Sequence, residues 1–205
     1  MQTATHTTTP KRRLKWRVVD IVTASIIGVA SGVVFLFWNI AYGPLSVPLA
    51  FTPGLSALLG GGWLFAGVLS GLIIRKPGAA LYSELVAATV SALVGNQWGF
   101  STVIWGVVQG LGAEIVFAIF LYAHYRLYVA LLAGFGAGLA MAFLDTTFTD
   151  YAALDSGFKL VYYVSAAVSG VIIAGGLSWL AARGLAAAGA LDRFAAGREA
   201  RRKAA

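Results

Sequence analysis

Cysteine does not occur in this chain. That excludes disulfides, thiolate metal sites and cysteine nucleophiles. His6 and His124 are the only histidines, which leaves little for a metal centre. Charge is scarce as well: 11% of residues are Asp, Glu, Lys or Arg, against about a quarter in soluble domains. From Ile21 to Ile74 none of these four types appears, and no histidine either. No glycine-rich loop ends in Lys-Ser/Thr, so ATP hydrolysis by that route is excluded. No paired-histidine zinc-protease motif and no Gly-x-Ser-x-Gly elbow occurs. No internal repeat relates the two halves, which argues against an inverted-repeat transporter. These absences describe a binder more than an enzyme or an autonomous pump, and neither cofactor nor metal is expected.

What the 205 residues do contain is apolar: 59% are hydrophobic, and mean hydropathy is +0.81. One membrane helix needs roughly 20 apolar residues, so the run from Ile21 to Ile74 reads as two crossings. The expected fold is all-α, a polytopic bundle of six transmembrane helices. Apolar runs and their breakers place these over 18–42, 57–74, 79–94, 100–122, 127–144 and 159–180, with Gly60-Gly61-Gly62 making the start of the second irregular. The apolar stretch from Val18 is too long for a cleaved leader and lacks a cleavage site. A polar, basic tail (1–17) therefore precedes a membrane domain (18–183), and a basic tail (184–205) follows it. With both termini in the cytoplasm, 14 of the 15 Lys and Arg lie on that side, leaving only Lys159. The loop before Lys159 carries Asp145, Asp150 and Asp155 instead. This is the positive-inside pattern. The basic tail then meets water or lipid headgroups, not nucleic acid.

Small residues recur at four-residue spacing on five of these helices, which lets helix backbones approach closely in a membrane. Most such stripes serve internal packing. The stripe Ala24, Gly28 and Gly32 on the first helix is the best candidate for a partner interface.

Two carboxylates interrupt the apolar text, Glu84 in the third helix and Glu114 in the fourth. An intramembrane carboxylate is costly and normally faces a bundle interior, a partner charge or a ligand. At 1.5 Å per residue, each sits about 5 Å to the cytoplasmic side of its helix midpoint. Antiparallel packing could bring the two together to share a proton or hold a cation. The competing reading is a structural network bonded to nearby Ser, Tyr or backbone groups. Gln109 lies about 140° around the helix from Glu114, so the two serve different faces. Ser91 shares the face of Glu84. The outer end gathers Trp38, Asn39, Tyr42, Trp63, Asn96, Gln97, Trp98, Trp105, Tyr162 and Tyr163. These form either an interfacial aromatic belt or the lid of a pocket whose rings attract a flat cation and whose amides read ring nitrogens.

Three blocks carry a family resemblance. They are Ile74-Arg75-Lys76-Pro77-Gly78-Ala79-Ala80-Leu81-Tyr82-Ser83-Glu84, then Leu93-Val94-Gly95-Asn96, then Gly106-Val107-Val108-Gln109-Gly110-Leu111-Gly112-Ala113-Glu114-Ile115-Val116-Phe117. They resemble the YkoE family, substrate-capture S components of energy-coupling-factor (ECF) vitamin transporters. The similarity spans most of the chain, though the first, fifth and sixth helices match mainly in pattern. It implies a multi-pass subunit of a bacterial cell membrane that captures thiamine or its hydroxymethylpyrimidine precursor. It also implies two partners, a transmembrane coupling protein and cytosolic ATPase subunits. On this reading Glu84 contacts the ligand's amine or cation, Asn96 and Gln109 read ring polarity, Glu114 belongs to the same site, and Trp63 or Trp98 stacks. An oligomeric channel lined by the glutamates, or a structural membrane subunit, remains the alternative.

Overall fold

The structure is a computed structural model and describes residues 14–204. Of the expected N-terminal tail, residues 1–13, with His6, Lys11, Arg12 and Arg13, lie outside the described residues. Every regular element among the described residues is helical. Helix α1 (Val18–Ser46) is followed by a short 3₁₀ turn (Val47–Phe51) and a longer 3₁₀ segment (Leu55–Trp63). Then come α2 (Phe65–Ile74), α3 (Ala79–Val94), α4 (Ser101–Ile119) and α5 (Leu127–Phe148). After a 3₁₀ turn (Asp150–Ala153), one long rod comprises α6 (Ser156–Ser169), a π-helical stretch (Gly170–Leu177) and α7 (Ser178–Ala187). Helix α8 (Ala195–Ala204) ends the described chain.

The chain turns where the sequence removes steric or hydrogen-bonding constraints. Gly78, at φ +85°, and Arg75, at φ +58°, reverse the backbone between α2 and α3. Gly95, at φ +106°, ends α3. Glycine adopts this left-handed region without the clash a Cβ brings. The Asp155 carboxylate accepts from the amides of Gly157 and Phe158 and starts α6 as an N-cap.

Among the described residues, four helical stretches are long and apolar enough to cross a membrane: 18–51, 101–119, 127–148 and 156–187. The 3₁₀ segment 55–63 and α2 form a pair bent by 40°, a fifth candidate span. The irregular start expected at Gly60-Gly61-Gly62 is this 3₁₀ segment. Helix α3 has 16 residues, about 24 Å, and falls short of a hydrocarbon core of about 30 Å. It lies against α1, α2 and α4, so protein rather than lipid surrounds much of it. Its buried face is small and polar: Ala79, Ala80, Ser83, Glu84, Ala87, Ala88, Ser91 and Ala92. The multi-pass character expected from composition is therefore present, while several boundaries differ: α1 runs on to Ser46 rather than Tyr42, and α4 ends at Ile119 rather than Tyr122. Helix α5 runs four residues past Leu144, so Asp145 is helical and not in a loop. The last rod starts at Ser156 rather than Lys159 and runs on to Ala187.

The α1 stripe has a different role from the one expected. Ala24 is fully buried. A Cβ on Gly28 would stand 2.7 Å from Val86, and one on Gly32 would stand 2.6 Å from Val90. Helix α3 thus fills the face read as a partner interface. A polar contact fastens the same pair of helices, Ser83 Oγ donating to the Ala24 carbonyl at 3.0 Å, and Ser83 Oγ also bonds Ser70 Oγ on α2 at 2.7 Å. At the basic end, Lys76 pairs with the fully buried Asp20, which also binds Arg17 at 2.8 Å. Trp16 Nε1 donates to the Pro77 carbonyl at 2.8 Å.

Gly32→Ala overpacks the α1–α3 contact. It should destabilise the isolated protein by about 1–3 kcal/mol, read as a lowered thermal midpoint in detergent. An unchanged midpoint would return the stripe to the role of an open docking face.

Candidate functional site

A cavity of about 360 Å³ opens at the end of the bundle away from Arg75 and Lys76. Parts of α1, the 3₁₀ segment 55–63, α3, α4, α5 and α6 contribute to its wall. Its volume lies in the range of small-molecule sites.

Glu84 forms one wall. It is 1% exposed, and its Oε2 accepts from the backbone amide of Gly67 at 2.6 Å. A side chain at residue 67 would obstruct this bond, because a Cβ there would lie 3.1 Å from Oε2. Glu84 Oε1 is buried and has no hydrogen-bond partner among the described residues. An unsatisfied buried acceptor costs about 1–3 kcal/mol, so this oxygen is poised for a donor. Gln109 lines the same cavity, 7% exposed, and among the described residues no hydrogen bond engages its amide. Helices α3 and α4 come close enough to place both groups because Gly106 and Gly110 face Ala88 and Glu84 without side chains.

An aromatic group forms another part of the wall. Trp63 and Trp98 meet edge to face with centroids 5.2 Å apart, and Tyr42 lies 5.2 Å and 5.7 Å from them. A polar relay holds the two tryptophans. Trp63 Nε1 donates to Asn39 Oδ1 at 2.7 Å. Asn39 and Asn96 both donate to Ser91 Oγ, at 3.2 and 3.3 Å. Asn96 Oδ1 accepts from the Trp98 amide at 2.8 Å.

The opposite wall carries Asp145, whose Oδ1 accepts from Trp105 Nε1 and Oδ2 from Tyr162 OH, each at 2.7 Å. Tyr151 also lines the cavity. Burial, followed by the Asp145 charge, raises its hydroxyl above the ordinary tyrosine value, so it stays neutral and able to donate.

The structure brings together Glu84, Gln109, Trp63 and Trp98 and leaves two expected residues outside. Asn96 does not line the cavity; it positions Trp98 instead. Glu114 does not meet Glu84. Its Oε1 accepts from Gly78 N at 2.6 Å and Tyr122 OH at 2.8 Å, and its Oε2 from Ala80 N at 2.9 Å. It neutralises the amide-rich start of α3, where an anion is favoured. The angular separation of Gln109 and Glu114 is realised as two roles, cavity wall and helix cap. Asp145 and Tyr151 were not expected in the site. Asp145 follows the buried Met141 by four residues, and Trp105 precedes Gln109 by four. Both spacings mark a shared helix face.

Comparison with known proteins follows the same lines. A family described as ABC-type cobalt transport system, permease component, matches residues 19–140. A protein of Bacillus subtilis (strain 168) named HMP/thiamine permease protein YkoE is 38% identical over 192 residues, covering 92% of this chain and 94% of that protein. A crystal structure described as an S-component of an ECF transporter is similar with a TM-score of 0.86. It is 37% identical and covers 92% of this chain and 95% of that one.

Glu114→Ala removes the acceptor for the first amides of α3. The expected result is a loss of about 1–3 kcal/mol in stability, measured by thermal unfolding. A wild-type midpoint would show that the cap is dispensable.

Proposed function

The chain belongs to the YkoE family of S components of ECF transporters, and we propose that it captures thiamine or its hydroxymethylpyrimidine precursor for uptake into a bacterial cell. In this reading the chain crosses the membrane six times, with α3 as a short, protein-enclosed crossing. Both termini are cytoplasmic, which puts the cavity at the outer face. A transmembrane coupling protein and cytosolic ATPase subunits supply the energy, and this chain supplies recognition.

One observation carries the proposal: the buried, unpartnered Oε1 of Glu84, beside the free Gln109 amide, in a cavity walled by tryptophans. An aminopyrimidine complements that arrangement. Its exocyclic amine donates to Glu84, a ring nitrogen accepts from Gln109, and its flat face lies against an indole. Thiamine adds a thiazolium cation, which aromatic faces attract. The matched family's description names cobalt. Among the described residues, however, no three His, Cys, Asp or Glu side chains converge as a metal site needs, and the cavity's rings and amides favour an organic ligand.

Glu84→Gln tests the assignment. The glutamine carbonyl still accepts from Gly67, while its amide presents a donor where the ligand's amine needs an acceptor. Loss of a charge-assisted hydrogen bond of about 1.5–3 kcal/mol corresponds to roughly 10- to 100-fold weaker binding. Calorimetric titration of the purified variant with thiamine and hydroxymethylpyrimidine measures it. Wild-type affinity in a folded variant removes Glu84 from the recognition role.

A further inference from the structure

The titratable side chains that line the cavity, tyrosines aside, are acidic. Three carboxylate residues, Glu84, Asp145 and Asp150, contribute to its lining, and no lysine or arginine does. Lys159 is the one cation among the described residues that belongs to the same end of the bundle, and its ammonium donates to the Ala152 carbonyl at 2.7 Å. The remaining cations sit at the opposite end: before α1, between α2 and α3, between α4 and α5, or from Arg183 onward.

Both candidate ligands carry a primary alcohol, and a phosphate ester of it bears a charge near −2 at neutral pH. A multivalent anion entering this cavity loses water and finds no countercharge, which is unfavourable even before repulsion. Asp150, at the exposed edge of the cavity, then adds like-charge repulsion. Asp145 is already engaged by Trp105 and Tyr162, so these donors would have to abandon it to serve a phosphate.

Resting on the function proposed above, we infer that the site takes only the unphosphorylated alcohols, discriminating against their phosphate esters by charge and not by size. The size argument is internal to the ligand pair. Hydroxymethylpyrimidine phosphate is smaller than thiamine, so a cavity that admits thiamine has room for it.

The test is calorimetric titration of the purified full chain with hydroxymethylpyrimidine, its phosphate ester and thiamine. The expected result is tight binding of both alcohols, with the ester at least 100-fold weaker than hydroxymethylpyrimidine. A ratio of tenfold or less overturns the inference while leaving the proposed function intact. Absence of binding by both alcohols overturns the proposed function and this inference with it. Asp150→Lys identifies the cause, because Asp150 is exposed at the cavity's edge. The ratio of the two affinities should fall severalfold in this variant. An unchanged ratio in the folded variant contradicts rejection by charge.

Discussion

A carboxylate withdrawn from water must find donors, and this bundle is organised around that demand. An ionised carboxylate left unpaired in a low-dielectric interior costs several kcal/mol. Four acidic residues meet the requirement by joining separate elements. Asp20 ties the start of α1 to Lys76 in the α2–α3 turn. Glu114 ties α4 to the first amides of α3. Asp145 joins α5 to α4 through Trp105 and to α6 through Tyr162. Glu84 joins α3 to α2 through Gly67. Each bond fixes the rotation of a helix that apolar packing alone would leave less defined, since lipid tails are as apolar as the helix surfaces.

Glu84 stands apart because its requirement is only half met. Its second oxygen has no partner among the described residues, and the residue lines the cavity. Glycines on α2 and α4 bring the neighbouring backbones close to it. Ser91, two turns further along the same face of α3, accepts from Asn39 and Asn96 and so links the two tryptophans of the aromatic wall. One helix therefore carries Glu84 in the cavity wall and the hub that sets the aromatic wall. That helix is held at its start by Glu114 and along its length by α1.

Much of this was legible in the sequence, and the limits have physical causes. Scarcity of charge and the length of apolar runs announce a helical membrane bundle without any contact being known. Glu84 and Gln109 are conspicuous because polar groups are expensive in such text. Glu114 is equally conspicuous, yet its partners are backbone amides of another helix, which no side-chain pattern reveals. The α1 stripe shows that a close contact will form without showing whether α3 or a second protein forms it. Asp145 was obscured because charge following an apolar run reads as a loop, whereas α5 continues through it to Phe148. The π-helical stretch 170–177 has no signature beyond its glycines.

The most direct test of the account is a titration of the purified wild-type protein with thiamine and with hydroxymethylpyrimidine, followed by intrinsic tryptophan fluorescence. Trp63, Trp98 and Trp105 all line the cavity, so a bound ring must alter their emission. The account predicts saturable quenching by both compounds at one ligand per chain. A flat response to both, from protein shown to be folded, would contradict it.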